Sequence, residues 1–89
     1  MKEKPISEKR DVSTGNSHTL VLINDELNTF EHVIKSLVEV CGHDVVQAEQ
    51  CAVITHFNGS CEVKTGSRSI IKSMYVGLVD RNLNSKIKS

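Results

Sequence analysis

Eighty-nine residues allow one small domain. Eleven Lys and Arg balance eleven Asp and Glu, which excludes a strong electrostatic pull toward nucleic acid or anionic lipid. Aromatic residues make up only 3% and Trp is absent, so a base-stacking platform is excluded as well.

No segment approaches the roughly 18 consecutive apolar residues of a membrane span. The first residues lack the apolar core of a secretory signal. The expectation is a soluble cytoplasmic domain. Apolar residues are spread unevenly: residues 1–18 hold only Met1, Ile6 and Val12. That stretch cannot bury enough surface to offset the entropy of ordering its backbone. Residues 1–18 are therefore expected as a disordered extension and residues 19–89 as the folding unit. So short a unit offers a surface groove more readily than an enclosed active site.

The first element is a strand over residues 18–24. Leu20-Val21-Leu22-Ile23 reads as buried on both faces, and Asn24-Asp25 turns the chain. A helix follows. Phe30, Val33, Ile34, Leu37, Val38 and Cys41 recur at helical spacing and form one stripe. Asn28 is the expected N-cap, with Glu31 as its capping-box partner, and Gly42 the stop.

A second helix is expected from Asp44 to about Phe57. Asp44 and Gln47 repeat the capping-box spacing. Ala48, Cys51, Ala52 and Thr55 give it a narrow face, which Val45, Val46, Val53 and Ile54 are expected to widen. Asn58-Gly59 is a turn. Cys61, Val63 and Thr65 alternate with Glu62 and Lys64, as in a half-exposed strand that Gly66 ends. Ile70, Ile71, Met74, Tyr75, Leu78 and Val79 mark a third helix, closing near Arg81-Asn82. Leu83, Ser85 and Ile87 share a face of a last strand over residues 83–88. The order β-α-α-β-α-β predicts an α+β fold. Its three-stranded, mostly antiparallel sheet is covered on one face by three helices.

Cys41, Cys51 and Cys61 are odd in number, which argues against a disulfide framework. With His43 and His56 they match no metal spacing, and buried free thiols are the simpler account. A small metal- or redox-responsive protein is the alternative they leave open. A Cys-His dyad around His56 has nothing to orient it, and adjacent Asp25 and Glu26 diverge too much for paired acid-base work. Glycines form no phosphate loop. No enzymatic activity, cofactor or metal is expected.

Polar groups stand beside apolar ones at two places. Asn24-Asp25-Glu26 follow the first strand, and His56 ends the second helix. Packing both helices on the sheet would bring them to one rim. Such an acceptor-rich site suits a primary ammonium with its three donors. The plain alternatives stay open: Asn24-Asp25 as a turn, Glu26 as a solvated charge, His56 as a helix C-cap.

The run Leu20-Val-Leu-Ile-Asn24-Asp25-Glu26-Leu-Asn28-Thr29-Phe30-Glu31-His-Val33 resembles the first signature of the ClpS family, adaptors of AAA+ Clp proteases. Gln47-Ala-Glu-Gln-Cys51, Ile54-Thr55-His56-Phe57-Asn58-Gly59 and Val63-Lys64-Thr65-Gly66 resemble the second. The resemblance implies an adaptor that binds N-degron substrates whose first residue is Leu, Phe, Tyr or Trp. It delivers them to the N-terminal domain of a Clp AAA+ unfoldase. Carried over, Asn24, Asp25 and His56 hold the substrate α-amino group. Glu26, where the family usually has Asp, and Asn28, where it often has Thr, bond the peptide backbone. Phe30, Val33, Ala52, Thr55 and Leu83 line the side-chain pocket. Phe30 replaces a flexible Met and implies a narrower pocket, with Ala52 restoring room. The unfoldase-binding region falls at residues 64–72. A ClpS-fold peptide-binding module without protease delivery is the alternative within the family.

Overall fold

The computed structural model describes residues 17–89. The stretch expected to be disordered lies, except for its last two residues, outside the described residues. His18 already belongs to a strand, one residue ahead of the expected boundary of the folding unit. The elements are β1 (His18–Ile23), α1 (Phe30–Cys41), α2 (Val45–Asn58), β2 (Ser60–Gly66), α3 (Arg68–Asp80) and β3 (Ser85–Lys88). Their order is the predicted β-α-α-β-α-β. No helix among the described residues is long and apolar enough to cross a membrane.

β1 is the central strand, flanked by β2 and β3, and both pairings are antiparallel. Strand side chains alternate, so Leu20 and Leu22 point to one face and Thr19, Val21 and Ile23 to the other. Leu20 and Leu22 join Leu37 and Cys41 of α1, Ala48 and Cys51 of α2, Ile71 and Leu78 of α3, Val63 and Leu83 in one core. Each fully buried Leu or Ile contributes roughly 1.5–3 kcal/mol. The β1–β2 register slips between Leu20, opposite Lys64, and Val21, opposite Glu62. The skipped residue is Val63, and the bulge turns it into the core.

Val21 is buried as well, as expected for a strand covered on both sides, but not by a helix. On its face the ion pair of Glu62 on β2 with Lys88 on β3 spans the central strand. Val21 stands opposite Glu62 on one side and Lys86 on the other. The aliphatic stems of such side chains exclude water while their heads stay wet.

The helix ends follow from local chemistry. α1 is capped by Thr29, whose hydroxyl accepts from the His32 N–H, and not by the expected Asn28. The reason is that the Asn28 amide is drawn to Asp25 and to the Asn82 carbonyl. Gly42 stops the helix at a φ of 72°, a conformation that costs glycine little. At α2 the capping box of Asp44 and Gln47 forms as predicted.

Two expectations need correction. Val45, Val46, Val53 and Ile54 do not widen the buried face of α2. Val46 is 60% exposed and Val53 47%, because α2 lies on the core along its small-residue stripe only. Leu83 precedes the last strand rather than opening it. Its N–H bonds the Leu78 carbonyl in the turn after α3, and Asn82 takes a left-handed φ of 64°. Its side chain still reaches the core.

α1 and α3 approach closely at Gly77. A Cβ there would stand 2.7 Å from Cγ1 of Val40, a β-branched side chain with little rotamer freedom in a helix. Gly77→Ala gains helix propensity of about 1 kcal/mol but incurs overpacking of about 1–3 kcal/mol. The variant is expected to unfold at lower urea. In a Val40→Ala background the same change becomes neutral or stabilising. Equal losses in both backgrounds would show that the contact is not the cause.

Candidate functional site

The C-terminal end of β1 gathers the site. The Ile23 N–H bonds the Asn84 carbonyl and the Asn24 N–H bonds the Gly59 carbonyl, both at 2.8 Å. One bond holds the loop after α3 beside the strand end, and the other holds the turn after α2. His56 sits three residues before Gly59 in the last turn of α2, and Leu83 one residue before Asn84. Residues far apart in sequence thus meet around Asn24-Asp25-Glu26.

Asp25 organises this turn. Its Oδ1 accepts from the backbone N–H groups of Leu27 at 3.0 Å and Asn28 at 3.1 Å. The Asn28 side-chain amide donates to Oδ1 at 3.1 Å and Oδ2 at 2.9 Å, and also to the Asn82 carbonyl at 2.9 Å. The Asn84 backbone N–H lies near enough to favour the charged carboxylate as well. Burial alone would raise the Asp25 pKa. The donors from Leu27, Asn28 and Asn84 outweigh it and hold the carboxyl below its ordinary value. It is an anion throughout the neutral range.

A cavity of about 450 Å³ opens beside this turn. Its lining includes all ten residues named from the sequence: Asn24, Asp25, Glu26, Asn28, Phe30, Val33, Ala52, Thr55, His56 and Leu83. Val33, Ala52, Thr55 and Leu83 line it with Leu22, and Ile23 borders it at the strand end. The Thr55 hydroxyl donates to the Cys51 carbonyl at 2.8 Å, so it brings no free donor to the cavity. Asn24, Asp25, Glu26 and His56 supply polar atoms. Among the described residues Lys and Arg are absent from the lining, and its charges are carboxylates.

The His56 ring contacts two phenyl rings. Phe30 is tilted against it at a centroid distance of 5.3 Å, and Phe57 meets it edge-on at 4.9 Å. These contacts do not use its nitrogens, which make no hydrogen bond among the described residues. The Asn24 and Glu26 side chains are likewise unbonded among them.

The Asn28 amide nitrogen is committed to Asp25 and Asn82, and its side-chain oxygen has no partner among the described residues. Leu22, Ile23 and Thr29 line the cavity and were missed. Their signal was nearness in the chain alone: Ile23 and Thr29 adjoin named residues, and Leu22 adjoins Ile23. Among the described residues no group of three or more His, Cys, Asp or Glu is placed to hold a metal ion, so the cysteines and histidines do not assemble one. Lys64, Arg68 and Lys72 are exposed beyond this site, along the end of β2 and the start of α3.

Residues 13–85 match the family model described as ATP-dependent Clp protease adaptor protein ClpS. No curated protein matches the chain. A solved structure, Agrobacterium tumefaciens ClpS2 bound to L-phenylalaninamide, shares the fold with a TM-score of 0.76. The two are 18% identical over 82% of this chain and 95% of that one.

The donor account of Asp25 is testable by pH. Its folded pKa lies below the unfolded value, so its contribution to stability is full above the unfolded value. That contribution is lost as pH falls through the folded one. Asn28→Ala removes one donor, and the Asp25 pKa is expected to rise toward the ordinary aspartate value in a carboxyl NMR titration. The acid-side loss of stability shrinks with it. An unmoved Asp25 titration would rule out Asn28 as a source of the depression.

Proposed function

The chain belongs to the ClpS family of ATP-dependent Clp protease adaptor proteins, and on that premise we propose that it binds N-degron substrates by their first residue. Asn24, Asp25 and His56 take the α-amino group, and the apolar cavity takes the first side chain. The bound substrate passes to the N-terminal domain of a Clp unfoldase. The adaptor binds and presents in the cytoplasm, and performs no bond cleavage itself.

The observation that carries this reading is one cavity that is acceptor-rich at the strand end and apolar within. An ammonium brings three donors and a positive charge. An internal residue offers one amide N–H and no charge. Acceptors left unpaired beside an internal residue are costly, so the site discriminates a chain start from a chain middle. Glu26 and the Asn28 side-chain oxygen stand beside the path of the peptide backbone. L-Phenylalaninamide, the ligand of the similar ClpS2 structure, carries both features the cavity suits, a free α-amino group and an apolar side chain.

Burying a Leu or Phe side chain supplies roughly 1.5–3 kcal/mol. Together with the charge-assisted bonds, micromolar affinity is expected, about −8 kcal/mol. A fluorescence-anisotropy panel of peptides differing only in their first residue tests this directly. Leu, Phe, Tyr and Trp are expected to bind and Ser, Glu and Lys not. Acetylating the first residue is expected to weaken binding by roughly 10-fold or more, the loss of hydrogen bonds to a charged group. Asp25→Ala should do the same, but this carboxylate also holds the turn, so acetylation is the cleaner arm. Equal binding of free and acetylated peptides would defeat the reading.

Phe30 should set selectivity within that class. Its stiff ring is braced on His56, and small Ala52 also lines the cavity. Phe30→Met replaces a fixed wall by a flexible one and should change the ratio of affinities for Leu and aromatic first residues. An unchanged ratio would remove Phe30 from the account.

A further inference from the structure

We propose that the outer face of α2 is a self-association surface, on which two copies of this chain pair across a two-fold axis with their α2 helices antiparallel. The inference does not use the peptide-binding reading and stands apart from it. α2 packs on the core along Ala48, Cys51, Ala52 and Thr55. Its opposite face is apolar too. Val46, Val53 and Phe57 are exposed there, Phe57 to 76%, with Val45 and Ile54 beside them. A helix apolar on both faces is normally covered on both. α2 carries no Lys or Arg, and Glu49 is its one carboxylate. α1 and α3 instead expose charges of both signs, Lys35 and Glu39 on one, Arg68, Lys72 and Asp80 on the other.

The outer face has the spacing of a helix seam. Val46, Gln50, Val53 and Phe57 follow one another by four, three and four residues, the alternation of d and a positions in a heptad. The seam is symmetric about the midpoint of Val45–Asn58. A shallow apolar groove of about 330 Å³, lined by Glu49, Gln50, Val53 and Ile54, lies at that same midpoint. With the two-fold axis there, Val46 of one copy faces Phe57 of the other, and Gln50 faces Val53. A large side chain meets a small one at each end, whereas a parallel pair would crowd two Phe57 rings together. Glu49 falls beside Ile54 of the other copy, so no carboxylates meet. The two Gln50 amides lie about one turn apart across the axis, within reach of one another. A single polar contact of this kind fixes the register of a seam. Antiparallel pairing also sets each helix N-terminus beside the other's C-terminus, the favourable order of the macrodipoles.

The chain's own first residues do not suit this face, because residues 1–16 offer only Met1, Ile6 and Val12 as apolar side chains. A second copy does. Covering the apolar side chains of the face removes roughly 500 Å² per copy, about 1,000 Å² for the pair, the lower end of a specific interface. Such a contact is transient, with half-dissociation expected near about 100 μM.

The test is sedimentation of the full chain in dithiothreitol, so that no disulfide contributes. A monomer–dimer transition is expected between about 10 μM and about 1 mM. Val53→Lys sets an ammonium opposite Gln50 and close to the same ammonium of the other copy, and should weaken association about tenfold or more. Val76→Lys is the control. Val76 on α3 is as exposed as Val53, 47%, but lies outside the seam, so this variant should dimerise as the parent does. Unchanged circular dichroism checks that both variants keep the fold. The register is read separately. Val46 and Phe57 stand eleven residues apart, about 16 Å along one helix, too far to touch within one chain. In a mixture of isotope-labelled and unlabelled chains, a nuclear Overhauser effect between the Val46 methyls and the Phe57 ring is expected across copies. A chain monomeric at every concentration would overturn the proposal and leave the face to a partner of other sequence. A dimer that Val53→Lys leaves intact, one that Val76→Lys breaks equally, or an interchain contact of Val46 with Val46 would each overturn it as well.

Discussion

The carboxylate of Asp25 is the point on which the site depends. It sits where the central strand ends, and it gathers donors from two sides. Leu27 and Asn28 belong to the turn into α1, and Asn84 to the loop into β3. One anion thus closes the strand–helix turn and ties it to the segment leaving α3. The bidentate Asn28 amide reinforces this by reaching the Asn82 carbonyl as well. Remove the charge, and several donors lose a common acceptor at once, which costs more than a single neutral hydrogen bond.

The rest of the fold brings partners to that point. The segment after α3 is held at its start too: the His32 ring bonds the Arg81 carbonyl at 2.8 Å, and the Arg81 guanidinium pairs with Glu39 at 2.6 Å. Both anchors lie on α1, so α1 fixes where Asn82, Leu83 and Asn84 sit. The exposed ion pair contributes little by itself, but it is one of several restraints on the same four residues. α2 is positioned otherwise, by small side chains on the core and by the Gly59 carbonyl on Asn24. A helix resting on Ala48, Cys51, Ala52 and Thr55 lies close to the sheet. That closeness leaves Ala52 and Thr55 as cavity wall and His56 at the mouth.

Much of this was legible. The stripe of α1, the Gly42 stop and the Asp44–Gln47 box are local signals, and local physics decided them. The signal weakened where tertiary demands competed. Asn28 has the chemistry of an N-cap, but the Asp25 carboxylate and the Asn82 carbonyl outbid the helix for its amide, and Thr29 capped instead. The valines of α2 looked like core by composition. Only the packing shows that the narrow face suffices and leaves them outside. Leu83 sits on the face expected of a strand residue while its backbone belongs to a turn. For the site, adjacency of Asn24, Asp25 and Glu26 was visible, and meeting His56 required only that both helices pack on one sheet face. The individual roles came from family likeness. The donors that depress Asp25 were not readable, because Asn84 is 59 residues away in the chain.

The committed state of Asp25 also bears on how a ligand would be read. A carboxylate already bonded by its own turn cannot swing to meet an ammonium, so the ligand must come to it. Preorganised acceptors of this kind lose little entropy on binding and tolerate little displacement of the donor. His56 rests against Phe30 and Phe57, with its nitrogens unspent among the described residues. The Phe30 ring therefore serves two surfaces, the imidazole on one side and the cavity on the other. Any substitution there that loosens the ring loosens the imidazole too, so in the proposed reading amine recognition and side-chain selection would be coupled through one aromatic contact rather than assigned to separate parts of the site.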